Sequence, residues 1–171
     1  MSGSSGAATV FLLVGLTGSG KTTYVRAVLE PAGVVRVSVD EEVFARNGAY
    51  GVDYPEHEYF ARQAPVLDWA TKRTASLVAE GRNVVLDHGL WQKTERQEWK
   101  ARIEACGGRW RLLYFPVPRE VLLERLRARN ECDDANALTV TPEALDDFFA
   151  RFDVPCGEGE EVVEAGSYPL A

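Results

Sequence analysis

The chain has 171 residues, 46% of them hydrophobic and 26% charged, and a formal net charge of −7. That length and composition suit one globular domain with a full core, and the acidic balance speaks against a general electrostatic grip on DNA or RNA. No apolar run reaches membrane-spanning length, so a membrane partner is not expected.

In chain order, MSGSSGAA lacks both the basic and the apolar region of a signal peptide and reads as a flexible leader or expression remnant over residues 1–8, which leaves a single domain over 9–171. Ala8 to Val14, ATVFLLV, is an apolar, β-branched run of strand length. It enters VGLTGSGKTTYV, where Gly15, Gly20, Lys21 and Thr22 fit G-x-x-x-x-G-K-[ST], the phosphate-binding P-loop. Glycine in that density is entropically costly, so the backbone there needs positive φ angles or a close approach to something. Val25, Val28 and Leu29 follow at helical spacing until Pro31 and Gly33. Gly33 to Asp40 reads as a second strand ending in an acid, Glu41 to Arg46 as a short helix, and NGAYGVDYP as loop. A long helical stretch is expected from Pro55 to Glu80, interrupted or kinked at Pro65. A third strand, Asn83 to Leu86, ends in Asp87, and Gln92 to Ala105 is helical. RWRLLYFPV is a fourth strand and Arg119 to Arg129 an Arg-rich helix. After the polar loop NECDDANALTV, Thr141 is placed to cap a helix with Pro142 in its first turn, and EEVVEAG makes a short last strand.

Strands alternating with helices imply right-handed crossovers and a parallel sheet covered on both faces, with ligands beyond the carboxyl ends of the strands. The P-loop, Asp40 and Asp87 all fall at such ends. Backbone N–H groups from Gly18 through Ser19, Gly20, Lys21 and Thr22, with Thr17 in the same loop, suit a β-phosphate. Lys21 reaches the β- and γ-oxygens, the Thr22 hydroxyl is a Mg²⁺ ligand, and Thr23 has a weaker phosphate contact or is the next helical residue. Asp40 is either a helix N-cap or a site acid. Asp87 resembles a Walker B acid, which holds Mg²⁺ directly or through water. His88 adjoins it as a substrate contact or a polar loop residue. Arg125 and Arg129 lie four apart on one helical face with Arg127 about opposite. They supply charge to a transferring phosphoryl group, or else pair with Glu120 and Glu124 on a solvated helix. Trp69, Trp99 and Trp110 read as core, and Trp91 as the wall of a pocket at the active edge. Cys106, Cys132 and Cys156 are odd in number and without C-x-x-C pairing, so neither a disulfide framework nor a zinc site is expected and a cytoplasmic location fits.

Together GLTGSGKTT, VSVDEEVF, NVVLDHGLW and VPREVLLERLRARN resemble the small P-loop kinases: gluconate-kinase-like, shikimate-kinase-like and chloramphenicol-phosphotransferase-like enzymes and zeta-toxin-type sugar-nucleotide kinases. The resemblance runs from Thr9 to Glu164. It implies a three-layer P-loop NTPase α/β sandwich with a short Arg-bordered lid over Arg125 to Thr141. It also implies ATP or GTP as phosphoryl donor, Mg²⁺, Asp40 as base, and FDVPCGEGEE near the purine. The acceptor implied is a hydroxyl of a small molecule, by analogy a natural product or antibiotic, bound around NGAYGVDYPEH and the Pro55 to Glu80 helix. A monomer or homodimer is expected. The alternative is a nucleotide-dependent switch or regulatory ATPase without an acceptor, while a nucleic-acid 5′-hydroxyl kinase is disfavoured by the net charge.

Overall fold

A computed structural model describes residues 6–130, 141–164 and 166–168. Five parallel strands form one sheet in the order β2-β3-β1-β4-β5: β1 (Thr9–Val14), β2 (Val35–Ser38), β3 (Val84–Asp87), β4 (Arg109–Tyr114) and β5 (Glu160–Val162). The helices are α1 (Lys21–Tyr24, continuing as a wider π-type turn over Val25–Leu29), α2 (Val39–Asn47), α3 (Tyr59–Ala79), α4 (Lys93–Ala105), α5 (Arg119–Asn130) and α6 (Pro142–Arg151). β1 sits centrally because Val10 to Val14 are buried on both faces, as a parallel strand between helical layers must be.

Side chains alternate across that strand. Val10, Leu12 and Val14 pack with Val39, Val66, Leu77, Trp99 and Ile103 of α2, α3 and α4. Phe11 and Leu13 pack with Val25 and Leu29 on the other face. A third cluster, Leu16, Leu122, Leu126 and Leu145, ties the P-loop to α5 and α6. Leu122 and Leu126 are one helical turn apart and buried, which fixes the face of α5 that meets the P-loop.

Several boundaries differ from the sequence reading. β2 stops at Ser38, not Asp40, because Ser38 is extended (φ −103°) and its Oγ accepts from the Glu41 N–H at 3.3 Å, capping a helix that starts at Val39. Asp40 is therefore an exposed residue in the first turn of α2, beside Glu41 and Glu42, where negative charge suits the helix dipole. β3 runs one residue later and includes Asp87. α3 continues through Pro65, since the stripe Val66, Ala70, Thr74 and Leu77 buried against the sheet outweighs the roughly 3 kcal/mol of an internal proline. Trp99 is buried as expected, but Trp69 and Trp110 are only partly so, lying under Arg46 and Lys100. The lid expected from Arg125 to Thr141 falls mostly on residues 131–140, outside the described residues, as does the side chain of Arg129. Among the described residues no helix is long and apolar enough to cross a membrane.

Candidate active site

The P-loop follows β1 as the spacing requires. Gly18 (φ +84°) and Gly20 (φ +94°) are left-handed, a conformation that side chains with a Cβ rarely adopt. Gly15 is needed for space, since a Cβ there would lie 2.5 Å from Ser19 Oγ and 3.2 Å from Phe115. Gly20 is the N-cap of α1, so the first N–H groups of that helix face the anion position rather than a capping side chain. One expected cradle donor is used otherwise: the Ser19 N–H bonds the Leu16 carbonyl at 3.1 Å. Lys21 Nζ donates to Gly15 O (2.7 Å), Leu16 O (2.9 Å) and Ser19 Oγ (3.3 Å), so its ammonium lies across the loop. Thr17 and Thr23 are half-buried at either end of the loop.

The parallel register Leu12–Leu86 between β1 and β3 brings Asp87 level with the base of the P-loop. Thr22 Oγ1 donates to Asp87 Oδ2 at 3.1 Å, with Oδ1 at 3.4 Å. A hydroxyl and a carboxylate are hard oxygen donors. Among the described residues no group of three His, Cys, Asp or Glu gathers, so the remaining ligands of a cation there would be phosphate oxygens and water, the set Mg²⁺ favours. The residues fit that ion. Asp87 is also gripped by Arg36 of β2, whose Nε and Nη2 reach Oδ2 at 2.9 and 2.7 Å, while Nη1 reaches Glu41 Oε1 at 2.8 Å. Burial works against the charge of Arg36, but the two carboxylates outweigh it and hold the guanidinium above its ordinary pKa.

Asp40 stands apart from that network. Tyr59 Oη, at the start of α3, donates to Asp40 Oδ1 at 2.9 Å and accepts from Gln63 Nε2 at 3.2 Å. Burial, then the charge of Asp40, pushes the Tyr59 phenol far above its usual pKa, so it stays a donor. Tyr50 and Phe60 pack edge-on to Tyr59, with centroids 5.5 and 5.6 Å away.

Arg125 reaches the P-loop, its Nη1 donating to Gly18 O at 3.0 Å, while Arg127 is exposed. His88 and Trp91, expected beside the substrate, have other neighbours. His88 Nε2 meets Glu95 Oε1 of α4 at 2.9 Å, and Trp91 packs 5.0 Å from the Phe148 ring of α6 in the third core cluster. The FDVPCGEGEE segment, expected near the purine, is locked onto α4. Glu158 takes two bonds from the buried Arg96 (2.9 and 2.7 Å), and its carbonyl accepts from Lys100 at 2.7 Å. A segment after β5 also touches the P-loop: Tyr168 Oη donates to Gly20 O at 3.3 Å and stacks edge-on to Tyr24 at 5.1 Å. Arg36, Tyr59 and Tyr168 escaped the sequence reading. Only Arg36 carries a local signal, a charge inside the apolar run VVRVSV.

A family model described as an AAA domain matches residues 10–155. The shikimate kinase of Aromatoleum aromaticum is 32% identical over 120 residues, which cover 68% of this chain and 62% of that enzyme, less than two thirds of its length. Among solved structures, a chain of the Pnkp1/Rnl/Hen1 RNA repair complex superposes with a TM-score of 0.69 at 19% identity, covering 84% of this chain and 43% of that one. The gluconokinase of Sinorhizobium meliloti 1021 superposes at 0.61 and 19% identity, covering 96% and 85%. At these identities the structural likeness establishes the fold, and the family match adds descent. The chain belongs to this AAA-domain family and has the α/β fold of the small P-loop kinases.

Proposed function

We propose that the chain is a kinase that moves the γ-phosphoryl group of ATP or GTP to a hydroxyl of a small molecule. The observation that carries this reading is the hydrogen bond between Thr22 of the P-loop and Asp87, 65 residues on, which sets the P-loop and a carboxylate side by side. The kinship with a shikimate kinase supports it.

In this reading the P-loop backbone and Lys21 hold and orient the phosphates, Lys21 exchanging its loop carbonyls for phosphate oxygens. Thr22 and Asp87 hold Mg²⁺, which neutralises phosphate charge when bound. Arg125 turns from the Gly18 carbonyl to the transferring group. Asp40 orients the acceptor hydroxyl and takes its proton as the new bond from oxygen to phosphorus forms and the bond to the leaving diphosphate breaks. Tyr59 fixes one carboxylate oxygen of Asp40 so that the other meets the acceptor. Hydroxylated natural products, antibiotics among them, are the acceptor class favoured by analogy, and a cytoplasmic enzyme fits the free thiols of Cys106 and Cys156.

The test is to incubate the chain with labelled ATP or GTP and a panel including shikimate, gluconate, nucleosides and hydroxylated antibiotics, and to identify phosphorylated products by mass spectrometry. Transfer to one class is expected. Nucleotide binding with no product across the panel would favour a regulatory ATPase, and absence of nucleotide binding would remove both readings.

A further inference from the structure

Arg36 is the charged residue in the four-residue strand β2, and its side chain is 12% exposed against 8% for that of Asp87. Its guanidinium bridges two acids on different elements, Asp87 at the end of β3 and Glu41 in α2. Glu41 also accepts from Arg26 at 3.3 Å. Asp87 Oδ2 thus takes two Arg36 N–H groups and leans on the Thr22 hydroxyl, while Oδ1, 3.4 Å from Thr22 Oγ1, keeps most of its acceptor capacity. In this network two negative charges, Asp87 and Glu41, are matched by two positive ones, Arg36 on both acids and Arg26 on Glu41. The acid that should attract a divalent cation is therefore neutralised before any cation arrives. Arg does not give up its proton in proteins, so the bias holds at any working pH.

We infer that Arg36 is a positioning residue that prevents Asp87 from binding a divalent cation alone, so that the metal enters as its nucleotide complex. The inference rests on the kinase reading for the assignment of Thr22 and Asp87 to the metal. A free divalent cation gains little at a carboxylate already matched by a guanidinium within 3 Å. The complex of that cation with a nucleoside triphosphate is net negative, and Lys21, Arg36 and Arg125 attract it. The fork geometry also leaves Oδ1 as the oxygen for a direct or water-bridged contact.

The experiment is a titration with Mn²⁺, a paramagnetic substitute for Mg²⁺, read by water-proton relaxation on the full chain without nucleotide. Wild type should bind Mn²⁺ weakly, Arg36→Gln at least about tenfold more tightly, and Arg36→Lys, which keeps the charge, like wild type. Circular dichroism checks folding. Should Arg36→Gln not fold, Arg26→Glu, at a position 59% exposed, tests the same charge balance and should also tighten Mn²⁺ binding. Wild-type binding of Mn²⁺ as tight as that of the folded variants overturns the inference, with nucleotide binding intact. Failure of wild type to bind a fluorescent ATP analogue with Mg²⁺ overturns the kinase reading instead, an outcome the nucleotide-free titration cannot mimic.

Discussion

Replacing each of the two acids by its amide should separate them by stability as well as by rate. Asp40 is exposed, and its hydrogen bond from Tyr59 at 2.9 Å survives in Asp40→Asn because the amide oxygen still accepts. What is lost is one charge at a helix N-terminus, worth about 0.3–1 kcal/mol. The melting temperature should then fall by no more than about 4 °C. The rate should fall much further, by roughly 10²–10³-fold, the lower half of the range for loss of a general base, with nucleotide and Mg²⁺ affinity nearly unchanged. Asp87→Asn acts on a side chain 8% exposed that takes two bonds from the similarly buried Arg36. Breaking a buried ion pair on one side costs about 3 kcal/mol or more, a fall of about 6–12 °C for a chain of this size, and the Mg²⁺ requirement of transfer should rise. The assays are calorimetry of both variants and a Mg²⁺ titration of phosphotransfer at saturating nucleotide. An Asp40→Asn protein that melts as early as Asp87→Asn, or that shifts the Mg²⁺ dependence while Asp87→Asn does not, would refute the division of roles.

Lys21→Ala should lower kcat for phosphotransfer by about 10² or more, because in the kinase reading the ammonium that now bonds Gly15 O, Leu16 O and Ser19 Oγ is the charge that turns to the β- and γ-phosphates; activity within tenfold of wild type would remove the P-loop assignment. Arg125→Ala should reduce kcat more than it weakens nucleotide binding, and Arg127→Ala should do little, which steady-state kinetics and a nucleotide titration check together; equal mild effects would return both to a solvated helix. Hydrogen bonds from Arg96 hold the Glu158 carboxyl below its usual range against the pull of burial, so its contribution is present above the unfolded value of about 4.3 and is lost as pH falls through the lower folded value. Glu158→Gln should therefore melt several degrees below wild type at pH 7, with the gap closing as pH drops below about 4, and a gap constant with pH would show that the pair carries no charge-linked stability.

Features whose causes lie within a few neighbouring residues were legible in the sequence. The glycines at 15, 18 and 20 with Lys21 and Thr22 are contiguous, and the requirement for left-handed backbone acts residue by residue. The β1 run, the helix faces and the Thr141–Pro142 cap follow from periodicity and end chemistry, and the cap is found with Thr141 Oγ1 accepting from the Ala144 N–H at 3.2 Å. Where two local solutions competed, tertiary pairing chose between them. Ser38 and Asp40 can both cap a helix, but Ser38 is paired with Asp87 in the sheet register, and the strand ends there.

Sequence by itself thus determined the phosphate loop, the alternation of strands and helices, and the acids near the carboxyl edge of the sheet, because propensity, glycine conformation and apolar period are short-range properties. Only the tertiary structure decided which side chains those acids meet. The partners of Asp87, Asp40, Glu158 and Gly20 are 51, 19, 62 and 148 residues away: Arg36, Tyr59, Arg96 and Tyr168. Such contacts depend on the order β2-β3-β1-β4-β5 and on parallel register, which bring remote segments together through crossovers that leave no mark at either end of the pair.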